Sequence, residues 1–280
     1  MDAKTQVYAV IGNPVRHSLS PVMFNQAFSE TGYNAVYVAF QVTDIMAGMA
    51  GMRALGIRGA SITIPHKVSI RKHMDELDFS AENVWAVNTV VNTNGRLKGY
   101  NSDCIGAVKA LEEVTSLKGK RVGIIGAGGA ARAIGFGIKS RGAEPTIINR
   151  TVSTGEKLAA ALCADFIPIS ALHELPFDVL IQTTSVGMTP NIQQSPIPQA
   201  LLFSDLLVMD IVYTPLKTRF LQDAETAGSR TITGLSMFLH QAAFQFELWT
   251  GSPAPVQVMR ESLAGCLGNP KPVQQGEMHD

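Results

Sequence analysis

The sequence predicts an α/β protein, with a mixed, mainly parallel sheet in the first part of the chain and a parallel sheet in the second. Short apolar segments of strand length alternate with segments of helical periodicity along most of the chain. One of them, Val122–Ile125, ends in a glycine-rich loop that opens a helix. Strands that alternate with helices form parallel sheets covered by helices on both faces.

Length and composition indicate two domains with large cores and no dominant charge. The chain has 280 residues, and one domain usually takes about 100–200 residues. Hydrophobic residues make up 46% and charged residues 16% of the chain, which excludes intrinsic disorder. Lys plus Arg and Asp plus Glu each total 23. The chain therefore lacks the global field that would favour nucleic acid or an anionic membrane as a partner.

The cysteines and the start of the chain exclude further classes. Cys104, Cys163 and Cys266 form no Cys-x-x-Cys pair, so neither a disulfide framework nor a zinc site is expected, and we predict buried thiols. The N-terminus has no cationic start before a long apolar region, so no signal peptide is predicted. The most apolar stretch, Val122–Ile138, contains Arg132 and many glycines and is a poor membrane span. We expect a cytoplasmic protein without a metal.

In the first part of the chain, turn and cap residues mark the ends of the predicted elements. Ser20-Pro21 resembles an N-cap followed by proline at the first helical position. Asp44–Leu55 repeats apolar residues every three or four positions, as an amphipathic helix does. Asn94-Gly95 is a strong hairpin signal. The predicted strands are Val7–Ile11, Val36–Phe40, Ala60–Ile64, Val87–Val91 and Leu97–Tyr100, and the predicted helices are residues 20–30 and 44–55.

The second part of the chain repeats the alternation more regularly. A helix rich in Ala and Glu leads into a polar linker, and a strand–loop–helix–strand unit follows it. The predicted strands are Val122–Ile125, Pro145–Asn149, Val179–Gln182 and Leu207–Ile211. The predicted helices are Ile105–Glu113, the segment from the glycine loop to Ser140, Leu235–Trp249 and Val256–Cys266.

The glycine loop predicts a dinucleotide site. Gly126 permits the tight turn, Gly128 lets the backbone approach a pyrophosphate, and the small Ala131 replaces the third glycine of the usual pattern. The positive end of the following helix attracts the phosphates. Such a turn can also be merely structural, but its context between a strand and a helix favours a nucleotide. The residues assigned to the cofactor are Gly126, Ala127, Gly128, Gly129 and Ala130.

The end of the next predicted strand indicates which nucleotide is bound. Asn149-Arg150-Thr151 lies 23 residues after Gly126, where an NAD site usually presents a carboxylate to the ribose 2′-hydroxyl. A carboxylate would repel a 2′-phosphate, whereas an amide, a guanidinium and a hydroxyl suit one. The alternative is a solvated arginine at a strand end. We predict that NADP is the cofactor and that Asn149, Arg150 and Thr151 contact it.

Several short motifs occur together in one order. They are Ser18-Leu19-Ser20-Pro21, Ser61-Ile62-Thr63-Ile64-Pro65-His66-Lys67, Ala86-Val87-Asn88-Thr89, Asn101-Ser102-Asp103, the glycine loop with Asn149-Arg150-Thr151, and Gly234-Leu235-Ser236-Met237 with Gln241. In this order the chain, over roughly residues 5–265, closely resembles the shikimate dehydrogenase family. The resemblance implies reversible reduction of 3-dehydroshikimate to shikimate by NADPH, in chorismate and aromatic amino-acid biosynthesis. It also implies an N-terminal substrate domain and a Rossmann-like NADP domain, with the active-site cleft between them.

The resemblance also implies roles for single residues. Lys67 and Asp103 match the catalytic pair. A lysine can stabilise the charge that develops on a carbonyl oxygen and supply its proton, while an aspartate orients it. The residues that match substrate contacts are Ser18, Ser20, Thr63, Asn88, Tyr213 and Gln241, and Gly234 and Met237 match positions near the nicotinamide. Taken alone, Ser20 could be only a helix cap and Met237 only a core residue. His66 matches no catalytic position, so we expect a structural role.

The chain departs from the family pattern at a few positions. Ser61 stands where many relatives have Asn, and Trp85 replaces a small residue, usually Gly. Thr154 occupies a position that is often basic in NADP-using relatives, which leaves open how strict the preference for NADP is. Lys157 could compensate from the next helical turn. Two alternatives to a strictly NADP-dependent shikimate dehydrogenase stay open. One is a quinate/shikimate dehydrogenase able to use NAD, and the other is a non-catalytic relative that senses shikimate.

The expected division of the chain follows from the positions of the motifs. A substrate-binding and catalytic domain is predicted for residues 1–103, completed by C-terminal helices within residues 237–280. The NADP-binding domain is predicted for residues 104–236. The retention of both Lys67 and Asp103 favours an enzyme over a sensor. The sequence does not fix the oligomeric state, and a homodimer is compatible with it.

Overall fold

Two six-stranded sheets form the framework of the protein. The computed structural model describes residues 1–174 and 176–268. The elements of the first part are β1 (Gln6–Gly12), α1 (Ser20–Thr31), β2 (Ala35–Gln41), α2 (Ile45–Ala54), β3 (Gly59–Ile62), β4 (Glu76–Leu77), α3 (Phe79–Val84), β5 (Thr89–Thr93), β6 (Arg96–Tyr100) and α4 (Asp103–Glu112). Those of the second part are β7 (Arg121–Ile125), α5 (Gly129–Ser140), β8 (Glu144–Asn149), α6 (Val152–Leu162), β9 (Asp165–Pro168), β10 (Val179–Gln182), β11 (Leu207–Asp210), α7 (Arg219–Thr226), β12 (Arg230–Ile232), α8 (Gly234–Thr250) and α9 (Val256–Gly268).

The first sheet has the strand order β2-β1-β3-β5-β6-β4. Strands β2, β1 and β3 are parallel, β5 is antiparallel to both β3 and β6, and β4 is parallel to β6. The turn between β5 and β6 has positive φ at Asn94 (52°) and Gly95 (88°), as a tight hairpin turn requires. The predicted mixed, mainly parallel sheet and its hairpin are confirmed.

The second sheet is parallel throughout and has the order β12-β11-β10-β7-β8-β9. Numbered from β7 along the chain, this is the 3-2-1-4-5-6 order of dinucleotide-binding sheets. The glycine loop follows β7, the first strand, beside the point where the strand order reverses. In such sheets this is the crevice that receives a ligand.

Helices cover both faces of each sheet. In the first sheet α1, α8 and α9 pack on one face, and α2 packs on the other. Residues of α4, α5 and α6 share one core with β7 and β8, and α7 belongs to a core on the opposite face of the second sheet. Helix α8 contributes Met237 to the core of the second sheet and Phe238, Leu239 and Phe246 to that of the first. Helices α4 and α8, which pack against each other, therefore connect the two halves.

Some details differ from the sequence-based expectations. Leu19, not Ser20, is the N-cap of α1, so Ser20 is the first helical residue and its hydroxyl bonds to no backbone N–H of the first turn. Cys163 is exposed rather than buried, because it ends α6 at the surface with a left-handed φ of 45°. Cys104 and Cys266 are half-buried. Strand β3 ends at Ile62 instead of Ile64, and α4 begins at Asp103.

Residues 269–280, part of the predicted C-terminal completion of the first domain, lie outside the described residues. Within the described ranges, no helix is both long and apolar enough to cross a membrane.

Candidate active site

Lys67 and Asp103 form an ion pair beyond the carboxyl ends of β3 and β6 in the first sheet. Lys67 lies in the loop after β3, where its carbonyl oxygen accepts a hydrogen bond of 2.7 Å from the backbone N–H of Val87. Asp103 is the first residue of α4. The Nζ atom of Lys67 lies 2.6 Å from Oδ2 of Asp103, and the side chains are 32% and 8% exposed. The lysine is thus accessible to a ligand, while the aspartate behind it is buried.

Asn88 holds the second oxygen of the same carboxylate. Its Nδ2 donates to Oδ1 of Asp103 over 2.8 Å. The other end of the amide, Oδ1, accepts hydrogen bonds from the backbone N–H of Ser102 (2.7 Å) and the hydroxyl of Thr89 (2.8 Å). Both oxygens of Asp103 are therefore engaged as acceptors, one by a cation and one by an amide.

Gln241 brings helix α8 to this cluster. Nδ2 of Asn88 lies 3.2 Å from Oε1 of Gln241. The approach of α8 depends on Gly106 of α4, because a Cβ atom there would lie 2.9 Å from Cβ of Gln241 and 2.6 Å from the carbonyl oxygen of Met237. Four of the predicted site residues, Lys67, Asn88, Asp103 and Gln241, are thus brought together.

Tyr213 lies near the pair on a loop after β11. Its ring stacks on Phe238 of α8, with centroids 5.0 Å apart and planes inclined by 17°. Burial raises the pKa of the Tyr213 hydroxyl, and the negative charge of Asp103 raises it further. The loop starts at Asp210, whose carboxylate accepts from the N–H of Val212 (2.9 Å) and the hydroxyl of Thr218 (2.7 Å). Asp210 therefore fixes both ends of the segment that bears Tyr213.

Ser18, Ser20 and Thr63 lie on neighbouring segments. The backbone N–H of Ser20 donates to Oγ of Ser18 over 3.3 Å, and Ser20 is 5% exposed. Helix α1, which Ser20 begins, has neither a side-chain cap nor an acidic residue in its first turn, so its N-terminus can attract an anion. In the described part of the chain, none of the three hydrogen-bonds to Lys67 or Asp103.

His66 is buried within the loop that contains Lys67, whereas Trp85 lies at the surface. His66 is buried, and its Nε2 lies 2.6 Å from the carbonyl oxygen of Val42, in agreement with the expected structural role. Trp85 ends α3 with φ of 58° and is 60% exposed. The guanidinium of Arg71 lies 4.2 Å from the centre of its ring. The indole thus remains at the surface beside the loop that contains Lys67.

The glycine loop has the geometry that a bound pyrophosphate needs. Gly126 has φ of +117°, and a Cβ atom there would lie 2.5 Å from Oγ1 of Thr183. Gly128 is the N-cap of α5 and offers no side chain to the N–H groups of the first turn. A Cβ at Gly128 or Gly129 would meet nothing within 4 Å, so no protein atom packs against the loop on that side. The backbone can therefore receive an anionic group, and the residues present fit a dinucleotide.

The predicted ribose-reading residues follow β8. Nδ2 of Asn149 donates to the carbonyl oxygen of Thr151 and to Oγ1 of Thr154, each over 2.9 Å. Arg150 and Thr151 are exposed. Thr154, where a basic residue would offer a second cation, serves here to hold the Asn149 amide.

Gly234 and Met237 lie at the start of α8. A Cβ at Gly234 would lie 2.7 Å from the carbonyl oxygen of Val212, so the glycine allows α8 to pack closely on the Tyr213 loop. Met237 is 7% exposed and belongs to the core of the second sheet. Within residues 1–174 and 176–268, no group of three or more His, Cys, Asp or Glu side chains could hold a metal ion.

Gln245, Thr89 and Ser102 support the cluster but were not predicted from the sequence. Nε2 of Gln245 donates to Oγ1 of Thr89 over 2.7 Å and lies 3.3 Å from Oγ of Ser102. One signal was present: Gln245 follows Gln241 by four positions, which places both on one face of a helix.

A glycine loop on the first strand of a 3-2-1-4-5-6 sheet, in a protein that also holds a lysine–aspartate pair, is typical of a dinucleotide-dependent oxidoreductase. Three family models match the chain: a shikimate dehydrogenase substrate binding domain over residues 10–90, a shikimate/quinate 5-dehydrogenase over residues 108–213, and a shikimate 5′-dehydrogenase C-terminal domain over residues 234–264. The chain belongs to the shikimate dehydrogenase family.

Individual relatives match along most of the chain. The shikimate dehydrogenase (NADP(+)) of Pyrococcus abyssi is 46% identical over 94% of this chain and 99% of that protein. The Thermus thermophilus shikimate 5-dehydrogenase, solved with NADP(H) and shikimate, is 34% identical, with a TM-score of 0.87 over 92% of this chain and 98% of that one. The Listeria monocytogenes enzyme, solved with shikimate and NAD, is 36% identical, with a TM-score of 0.87 over 94% of this chain and 98% of that one.

Proposed function

We propose that this chain is a shikimate dehydrogenase, which reversibly reduces 3-dehydroshikimate to shikimate with NADPH in chorismate and aromatic amino-acid biosynthesis. The observation that carries the proposal is the accessible Lys67 held by the buried Asp103, with Asn88 and Gln241 beside them. This is a proton donor surrounded by hydrogen-bonding groups suited to a hydroxylated substrate. The family and its NADP-named relatives agree with it.

The chemistry divides between the cofactor and the residues of the chain. NADPH, when bound, supplies the hydride. Lys67 is placed to donate a hydrogen bond, and then a proton, to the substrate carbonyl oxygen as negative charge develops there. Asp103 accepts a bond of 2.6 Å from Lys67 and so fixes the direction of the ammonium group. In the reverse direction Lys67 receives the proton of the substrate hydroxyl.

The remaining site residues fit binding roles. Ser18 and Ser20 lie at the uncapped N-terminus of α1, where the helix dipole favours a carboxylate such as that of shikimate. Thr63, Tyr213 and Gln241 offer hydroxyl and amide groups to the substrate hydroxyls. The N–H groups that begin α5 would hold the pyrophosphate, and Arg150 would hold the 2′-phosphate. Gly234 and Met237 would adjoin the nicotinamide.

The proposed domains are residues 1–103 with the C-terminal helices of 237–280, and residues 104–236. This division is supported by the two sheets, since the first ends with β6 at Tyr100 and the second begins with β7 at Arg121. It is also supported by α8, in which only Met237 joins the core of the second sheet, whereas Phe238, Leu239 and Phe246 belong to that of the first. A cytoplasmic location, a homodimer and the absence of nucleic-acid partners remain predictions.

A second candidate function is a quinate/shikimate dehydrogenase that also uses NAD. Thr154 favours it, because a hydroxyl that bonds to Asn149 adds no cation for a 2′-phosphate. The test is a steady-state assay of shikimate and quinate, each with NADP⁺ and NAD⁺. We expect shikimate with NADP⁺ to give the highest kcat/KM. Equal turnover of quinate would favour the second function, and no turnover of either would contradict both.

A further inference from the structure

A buried chain of hydrogen bonds connects β2 with the catalytic pair. The hydroxyl of Tyr37 donates to Oγ of Ser61 over 2.7 Å, and Ser61 donates to Oε1 of Gln245 over 2.8 Å. Nε2 of Gln245 donates to Oγ1 of Thr89 over 2.7 Å, and Thr89 donates to Oδ1 of Asn88 over 2.8 Å. The last hydrogen bond of this network, over 2.8 Å, runs from Nδ2 of Asn88 to Oδ1 of Asp103. All six side chains are at most 9% exposed: Tyr37, Ser61, Gln245, Thr89, Asn88 and Asp103.

Two backbone groups fix the orientations of the two side-chain amides in this network, those of Gln245 and Asn88. Nε2 of Gln245 lies 3.4 Å from the carbonyl oxygen of Asn88, which can only accept, so the nitrogen of the amide must face it. Oδ1 of Asn88 lies 2.7 Å from the backbone N–H of Ser102, which can only donate, so the oxygen must face it. Each of the two amides can therefore adopt only one orientation.

The remaining protons follow from these orientations. The hydroxyl of Thr89 accepts from Gln245, and its own proton has two acceptors within reach, Oδ1 of Asn88 at 2.8 Å and Oγ of Ser102 at 3.2 Å. Oδ1 of Asn88 is the nearer of the two. Ser61 must donate to Oε1 of Gln245 and accept from Tyr37. Burial raises the pKa of the Tyr37 hydroxyl, which keeps it a donor. The sequence of donors runs one way, from Tyr37 to the carboxylate of Asp103.

We propose that Gln245 is a positioning residue for the Lys67–Asp103 pair, an inference that rests on the proposed function. Gln245 donates to the Thr89 hydroxyl, which directs the proton of that hydroxyl to its nearer acceptor, Oδ1 of Asn88, and so keeps the N–H of Asn88 on Asp103. Asp103 then offers its other oxygen to Lys67. Ser61 takes part in the same positioning, because its hydroxyl donates to Oε1 of Gln245.

The test replaces the amide by groups with a different hydrogen-bonding capacity. Gln245→Met keeps the length of the side chain but removes the N–H that donates to Thr89 and the oxygen that accepts from Ser61. Since these buried hydroxyls then lack their partner, kcat should fall on the order of 10-fold at every pH. Gln245→Glu accepts from Ser61 but donates to Thr89 only when protonated. Its kcat relative to wild type should therefore rise on the order of 5-fold between pH 8 and pH 6.

Control variants separate positioning from stability. Asn92 is another buried amide of β5, bonded to the carbonyls of Met52 and Ile57 away from the pair. Asn92→Leu should lower the Tm without changing the pH profile of kcat. Ser61→Ala is a milder change, which replaces Gln245→Glu as the test if that variant does not fold. It should lower kcat on the order of 5-fold. The dissociation constant for NADP⁺ should stay within about 2-fold in all of these variants, because none touches the glycine loop.

The effect of Gln245 on Asn88 can also be measured without enzyme turnover. The side-chain amide of Asn88, followed by nitrogen-15 NMR, should be protected from hydrogen exchange in the wild type and on the order of 10-fold less protected in Gln245→Met. Unchanged protection, or Gln245 variants with wild-type kcat and pH profile, would overturn the positioning role. A wild type that does not oxidise shikimate would instead refute the proposed function and leave the NMR test decisive for Gln245.

Discussion

The ammonium group of Lys67 lies 2.6 Å from the carboxylate of Asp103, although 36 positions separate the two residues in the chain. Lys67 comes from the loop after β3 and Asp103 from the first turn of α4. The difference in exposure, 32% for the lysine and 8% for the aspartate, gives the pair a direction. The ammonium group is accessible from solvent and its partner is buried behind it, so the pair is placed to act on a substrate oxygen.

Asp103→Asn tests whether the negative charge is needed. The neutral amide keeps the size of the side chain but weakens its hold on the Lys67 ammonium, and its N–H donors oppose those of Asn88. We expect kcat for shikimate oxidation to fall by about 10²–10⁴-fold, the range typical of general acid–base groups. The measurement is steady-state kinetics, with nucleotide affinity by fluorescence titration.

The matched control for Asp103→Asn is Asp223→Asn. Asp223 is also a buried partner in an ion pair, 2.7 Å from Arg219 on α7, but it lies in the second half of the molecule. This variant should lower stability and leave kcat near the wild-type value. Equal kinetic losses in both variants would show that the effect of Asp103→Asn is general destabilisation.

Gly128→Val tests the assignment of the glycine loop. A Cβ atom at Gly128 would meet no protein atom within 4 Å, so we expect the fold to tolerate valine there, whereas its methyl groups would enter the space expected for the pyrophosphate. We expect the KM for NADP⁺ to rise at least about 10-fold with little change in Tm. The control is Gly51→Val on α2, where a Cβ also meets nothing within 4 Å. An unchanged KM for Gly128→Val would remove the loop from the cofactor site.

Thr154→Arg tests how the chain discriminates between nucleotides. An added guanidinium beside Arg150 should form a second charge-assisted bond with the 2′-phosphate. The ratio of kcat/KM for NADP⁺ to that for NAD⁺ should rise about 10-fold, equivalent to roughly 1.4 kcal/mol. Thr154→Val, which removes the bond to Asn149 without adding charge, serves as the control. A ratio that is the same in Thr154→Arg and the wild type would place the 2′-phosphate elsewhere.

Asp210 should make stability depend on pH in a predictable direction. Burial raises the pKa of Asp210 from its ordinary 3.8 to about 6, against the opposing hydrogen bonds from Thr218 and Val212. Between these values the folded state binds more protons than the unfolded state, so stability falls as the pH rises. This group alone should lower the free energy of unfolding by about 2 kcal/mol between pH 4 and pH 7.

Chemical denaturation of the wild type and Asp210→Asn at several pH values isolates this contribution. Because all other groups titrate in both proteins, the difference between the two free energies of unfolding should become less favourable to the wild type as the pH rises from 4 to 7. A difference that does not vary with pH would contradict the raised pKa of Asp210.

The parts of the structure that were predictable from sequence are those with local signals. The glycine loop follows β7 directly and the Asn94-Gly95 turn lies inside one hairpin, so neighbouring residues sufficed for both. Helices α3 and α7 have only six and eight residues, too few for a clear periodic pattern, so both were missed. The N-cap of α1 was assigned to Ser20 because its residue type favours caps, whereas the backbone placed Leu19 there.

The site was predictable only in part, for a related reason. Lys67 and Asp103 are single charged residues in the sequence, and the family resemblance was needed to pair them. Gln245 was missed because its partners are distant in the chain: Ser61 lies 184 positions away and Thr89 lies 156. Such contacts depend on α8 returning to the first sheet, which local patterns do not specify.

The most direct measurement is shikimate-dependent formation of NADPH, followed by absorbance, for the wild type and for Lys67→Ala. The wild type should turn over shikimate with NADP⁺ at a kcat of about 1–10³ s⁻¹, as typical enzymes do. Lys67→Ala should lose turnover by at least about 10³-fold while binding NADP⁺ nearly as well as the wild type. A wild type without shikimate-dependent activity, or a Lys67→Ala variant with a normal rate, would contradict the proposed enzyme and its catalytic pair.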